Sequence, residues 1–125
     1  MKQLFLLFTT LLFGAVTQAQ VRNISAAEAE QHIRQKDVVV LDVRTAAEYN
    51  EGHIPGAQLH DVLQSTQFRN AVKQLPRNKT YVVYCHSGRR SLEAARIMEE
   101  LGFRSVLNMT GGILAWKGTL TKNKN

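Results

Sequence analysis

The chain has 125 residues, 44% hydrophobic and 21% charged, with a formal net charge of +6 and a single cysteine. That length suits one domain, and the composition excludes wholesale disorder. One Cys excludes an intramolecular disulfide and any multi-cysteine zinc or iron–sulfur site. The basic excess would suit nucleic acid, an anionic surface or an anionic substrate, and composition does not choose among these.

Taken in chain order, residues 1–19 read as a cleaved secretory signal peptide. Lys2 supplies the positive start, Leu4 to Val16 form an apolar run broken only by Thr9, Thr10 and Gly14, and Thr17 and Ala19 are small residues before a cleavage point at Gln20. The run is short for a membrane span of about 20 apolar residues, so no stable membrane insertion is expected after cleavage. The expected location is exported, periplasmic or secreted. Cleavage leaves about 106 residues, enough for one modest core. The division expected is a signal over 1–19, one domain over 20–118 and a polar, frayed tail over 119–125.

Ser25-Ala-Ala-Glu28 and Thr45-Ala-Ala-Glu48 are capping boxes. The first opens a helix expected to reach Gln35; the second opens a short helix that Gly52 stops. Between them Val38 to Val43 is an apolar, β-branched run, the pattern of a strand buried on both faces of a parallel sheet. His53 to Ala57 reads as a turn or loop. Ser65 is expected to cap a third helix with Phe68, Ala71, Val72 and Leu75 at helical spacing, ended by Pro76. Thr80 to Tyr84 is a second buried strand. A helix from Gly88 to Leu101 closes at Gly102. Phe103 to Leu107 is a third strand, and a short helix starts at Ile113 to Trp116. Strands alternating with helices imply an α/β fold with a parallel sheet.

The chemistry concentrates at Cys85-His86-Ser87-Gly88-Arg89-Arg90-Ser91. Cys85 falls where a strand ends and a helix begins, so backbone N–H groups can curl round a point above the sulfur. Such a nest binds an anion and stabilises a thiolate, the reactive form of cysteine. Arg89 and Arg90 stand in the first turn of a helix, where the macrodipole disfavours cations. A bound anion would compensate both, while Arg89 taken alone reads equally well as a solvated surface charge. Gly88 allows the tight turn. Ser87 and Ser91 are hydroxyl donors or simply helix-start residues, and His86 reads as an exposed loop residue.

Three segments together resemble the rhodanese superfamily of sulfurtransferases, as a single-domain exported member. They are Leu41-Asp42-Val43-Arg44 continuing through Glu48 and Glu51 to Gly52-His53-Ile54-Pro55-Gly56-Ala57, the loop Cys85 to Ser91, and Gly111-Gly112-Ile113-Leu114-Ala115-Trp116. The resemblance spans residues 22–118. It implies a central parallel five-stranded sheet flanked by helices. It also implies that Cys85 takes up a sulfane sulfur as a persulfide and passes it to a thiophilic acceptor, cyanide or a thiol. His86, Ser87, Gly88, Arg89, Arg90 and Ser91 would form the substrate-binding loop. Within it the backbone from His86 to Arg90 would cradle the persulfide, and Arg89 and Arg90 would attract an anionic donor such as thiosulfate. Related phosphatases have a loop one residue longer. Here four residues separate Cys85 from Arg90, which is the sulfur-transferring length.

Around this loop, Asp42, Arg44 and Glu51, with Glu48 nearby, are expected to form a buried ion-pair network supporting the site. His53 is expected to anchor its loop by hydrogen bonds, Gly111 and Gly112 to let the backbone approach the active loop, and Trp116 to pack in the core. His32, His53, His60 and His86 lack metal-ligand spacing, so neither a metal nor a cofactor is expected. The basic residues are not interleaved with aromatics, against nucleic-acid binding. The expected protein is a monomeric sulfurtransferase. The alternative is a persulfide carrier or interaction module with little turnover.

Overall fold

The computed structural model describes Gln3, Leu4 and residues 20–123. The export signal expected over residues 1–19 therefore lies outside the described residues, Gln3 and Leu4 apart. Five strands form one sheet: β1 (Gln20–Ile24), β2 (Val38–Asp42), β3 (Gln58–Leu59), β4 (Thr80–Tyr84) and β5 (Ser105–Met109). Their order is β1-β5-β4-β2-β3, and every pairing is parallel. The helices are α1 (Ala26–Ile33), α2 (Ala46–Glu51), α3 (Ser65–Val72) and α4 (Arg89–Glu100), with a 3-10 turn at Gly112–Ala115.

Alternation along the strands builds a core on each face of the sheet. Tyr81, Val83 and Cys85 point from β4 into one core with Phe68 and Val72 of α3 and Ala94, Ala95 and Met98 of α4. Val82 and Tyr84 point into the other, with Ala29 of α1, Ile54, Leu107 and Met109. Each fully buried Leu, Val, Phe or Met stabilises by roughly 1.5–3 kcal/mol. The same alternation sends Cys85 toward α4 and its neighbour Tyr84 to the opposite face.

Both capping boxes form as expected, at Ser25 with Glu28 and at Thr45 with Glu48. Four expectations are corrected. The first helix stops at Ile33 rather than Gln35. Ser65 does not cap α3: Gln64 takes the cap position without a side-chain hydrogen bond. The third strand read at Phe103 begins at Ser105, because Phe103 is turned into the core beyond Gly102, at 1% exposure. The C-terminal segment is tied down rather than frayed over its described part. His53 and Thr121 exchange backbone hydrogen bonds of 2.9 and 2.8 Å, and the Asn123 N–H donates to Asn50 O at 3.2 Å.

Candidate active site

The carboxyl end of β4 carries the nucleophile, as parallel sheets place their sites. Cys85 is 1% exposed. Its Sγ accepts the Gly88 N–H at 3.0 Å. Gly88 is the N-cap of α4, has φ of 109°, and supplies no capping side chain. The sulfur thus stands where a capping side-chain oxygen would, at the positive end of the helix dipole. A positive φ of that size needs glycine.

The Ser91 Oγ lies 3.4 Å from Sγ and 3.2 Å from the Gly88 carbonyl. Its one proton can serve the carbonyl beside a thiol and turn to the sulfur when the thiol ionises. Burial pushes the Cys85 thiol up and is the largest single influence on it. The Ser91 hydroxyl and the N–H groups of Ser91, Gly88 and Ser87 together outweigh burial and hold the thiol below its ordinary value. This is the environment of a reactive cysteine.

The loop is held from behind by the 3-10 turn. Ile113 N–H donates to the Cys85 carbonyl at 2.9 Å and Leu114 N–H to the His86 carbonyl at 3.3 Å. With those carbonyls engaged outward, the loop's N–H groups are left for the sulfur side. Gly112 makes the approach feasible: a Cβ there would collide with the His86 carbonyl and stand 2.6 Å from Cys85 O. Gly112 thus fits the close approach expected of it, whereas a Cβ at Gly111 would meet Ala115 of the 3-10 turn at 2.8 Å and not the loop.

Asp42 and Arg44 form the expected buried pair, with Tyr84 as a third member that sequence reasoning missed. Arg44 donates Nε and Nη2 to Asp42 at 2.9 and 2.6 Å, and Nη2 also to Gly52 O at 2.7 Å. Tyr84 donates to Asp42 Oδ2 at 2.6 Å and accepts the Ile54 N–H at 3.0 Å. Burial, then the Asp42 contact, pushes the Tyr84 phenol up, so it stays a donor. The signal was present, since Asp42 and Tyr84 are register partners on neighbouring strands. His53 is the anchor expected: its Nδ1 meets Tyr49 O at 2.9 Å, and its ring stacks on Tyr49 at 3.6 Å.

Two expectations about charge change. Glu51 is exposed and forms no ion pair or side-chain hydrogen bond among the described residues, so it does not join the buried network. Glu48 does the structural work instead, but toward Arg90. Arg90 donates Nη1 and Nη2 to the two Glu48 oxygens at 2.8 and 2.9 Å. Glu48 Oε1 also takes the Thr45 hydroxyl at 3.1 Å. These contacts, Arg90 first, hold the Glu48 carboxyl down at about 2. Hence a carboxylate of the chain, and not only a bound anion, compensates one of the two first-turn arginines. Arg89, His86 and Ser87 are exposed at the mouth of the loop. Beside it runs an open groove of about 340 Å³ lined by Arg44, Glu48, Glu51, Gly52, His86, Ile113 and Leu120.

Comparison with known proteins identifies relatives of the whole domain. The Rhodanese-like domain family matches residues 25–119. The chain is 34% identical over 99 residues to a sulfurtransferase of Allochromatium vinosum, covering 77% of this chain and 88% of that one. It is 34% identical over 107 residues to the thiosulfate sulfurtransferase GlpE of Coxiella burnetii, covering 83% and 97%. A crystal structure of a rhodanese-like domain protein from Staphylococcus aureus superposes with a TM-score of 0.72 at 27% identity, covering 83% of this chain and all 100% of that one. A thiolate-stabilising loop at the end of the central strand of an all-parallel five-stranded sheet, together with these matches, means that the chain belongs to the rhodanese-like domain family.

Proposed function

We propose that this protein is a sulfurtransferase that moves a sulfane sulfur from an anionic donor such as thiosulfate to cyanide or a thiol through a Cys85 persulfide. The observation that carries the reading is the Cys85 sulfur held 3.0 Å from the Gly88 N–H at the start of α4. In the first half-reaction the Cys85 thiolate attacks the outer sulfur of thiosulfate. The sulfur–sulfur bond of the donor breaks, and sulfite leaves with the electron pair. The terminal persulfide sulfur then lies over the loop, where N–H groups from Ser87 to Ser91 receive its charge. In the second half-reaction the acceptor attacks that terminal sulfur. Cys85 leaves as the thiolate, and thiocyanate or a new persulfide departs.

The test is cyanide-dependent thiocyanate formation by the purified protein. The account expects Cys85→Ser to abolish it, and full activity in that variant would overturn the mechanism. One observation favours the second reading, sulfur carriage to a larger partner. Leu114, whose backbone is bonded to His86, is 67% exposed at the loop, and a small anion makes no use of apolar surface. A stable gain of one sulfur by the protein without thiocyanate turnover would favour carriage. The apolar run over residues 4–16 supports an exported location, which fractionation of the expressing cell tests.

A further inference from the structure

Arg89 and Arg90 are adjacent in sequence but stand in different electrical states. Arg90 is forked onto both oxygens of Glu48, with side-chain exposures of 24% and 29%. Arg89 is exposed and makes no ion pair or side-chain hydrogen bond among the described residues. Glu48 cannot simply follow Arg90 outward, because its Oε1 is also held by the Thr45 hydroxyl and N–H in the capping box of α2. A bidentate guanidinium–carboxylate pair is strong and directional, and to a third charge it presents almost no net charge.

We propose that Glu48 is a positioning residue of this site, one that withdraws the Arg90 cation from the incoming anion and leaves Arg89 to receive it. The proposal rests on the sulfurtransferase reading above. The family resemblance implies that both arginines attract the donor. The geometry separates them into a clamp that ties α2 to the first turn of α4 and a free cation at the mouth. The Glu48 hydrogen bonds first, and the Cys85 charge to a smaller extent, raise the Arg90 guanidinium above its ordinary value. Glu48 therefore also limits how far the arginine stabilises the thiolate.

The assignment makes an unusual demand on Glu48→Gln. The glutamine keeps the volume and an oxygen for the Thr45 cap but releases the Arg90 charge. KM for thiosulfate should fall about fivefold, the scale of one added unit charge a few ångströms away in water-like surroundings. The gain should shrink at high ionic strength, and the thiol limb of the kcat/KM pH profile should move to lower pH. Glu48→Asp, which keeps the charge, should return KM toward wild type. Arg89→Ala should raise KM by a similar factor with kcat held. A Glu48 that served only to brace the fold would give the reverse for Glu48→Gln: a raised KM and no acid shift of the profile. That result, or an unchanged KM in Arg89→Ala, overturns the assignment. An unchanged KM in Arg89→Ala overturns the assignment even if the Glu48 variants fold poorly. If wild-type protein itself takes up no sulfur from thiosulfate, the sulfurtransferase reading fails instead, so the two failures are distinguishable.

Discussion

Cys85 is a buried sulfur whose charge is carried by donors within one turn of chain. Ser91 is the side chain among them, and its proton has two acceptors 3.4 and 3.2 Å away. Ser91→Ala removes a hydroxyl that can turn to the thiolate while leaving the peptide N–H groups in place. The Cys85 thiol should then titrate at higher pH, checked by the pH dependence of iodoacetamide alkylation; an unchanged profile would show that the backbone alone holds the charge. Cys85 was legible from a strand run stopping at a Cys before a Gly and two Arg. The state of Arg90 was not, because its partner is 42 positions away. Glu48 was readable as a capping residue, yet one oxygen serves both the cap and the arginine, and that double use appears only in three dimensions.

At the scale of elements, the site depends on how β2, β4 and the 3-10 turn meet. Tyr84 bonds Asp42 across strands and Ile54 in the loop between α2 and β3, so Tyr84→Phe leaves a buried carboxylate oxygen and a backbone N–H short of a partner. Its expected cost is about 1–3 kcal/mol, measured by urea unfolding. A loss near zero would mean that the hydroxyl is not a member of the network. Gly112→Ala drives a methyl into the His86 and Cys85 carbonyls. Overpacking of this kind typically costs about 1–3 kcal/mol, and here it should also lower persulfide formation by displacing the loop; wild-type Tm and rate would contradict the contact. Elements with a local signature were readable: two capping boxes, and the β-branched runs of β2 and β4. β3 was not read from the residues because two residues carry no period. β1 was not because its Arg22 and Asn23 are polar and exposed, as an edge strand permits. Both were expected only through the family resemblance. Ser65 looked like a cap because its residue type fits one, but the chain enters α3 one residue earlier.

For the whole molecule, acid should be the main weakness. Glu48 sits at about 2 in the fold against an ordinary 4.5, chiefly through its Arg90 hydrogen bonds. A depressed carboxyl contributes its full stability above 4.5 and loses it as pH falls toward 2. His60 acts earlier. Burial lowers it below its ordinary 6.5, and its Nε2 is buried without a partner. The unfolded chain takes the proton first, so stability declines once pH drops below 6.5. The urea midpoint should begin to fall below pH 6.5 and fall again between 4.5 and 2, and His60→Gln should flatten the upper limb. A midpoint constant from pH 6.5 to 4.5 would contradict the role of His60. The alternating sheet-and-helix architecture was legible as a class because parallel strands buried on both faces show as unbroken apolar runs. The binding of residues 121–123 back onto His53 and Asn50 was not, since backbone hydrogen bonds leave no mark on a polar tail. The central claim, that Cys85 carries the sulfur, is tested most directly by intact mass after exposure to thiosulfate. The account predicts a gain of one sulfur atom, its loss as thiocyanate when cyanide is added, and no gain in Cys85→Ser. No gain in the wild-type protein, or the same gain in Cys85→Ser, would contradict it.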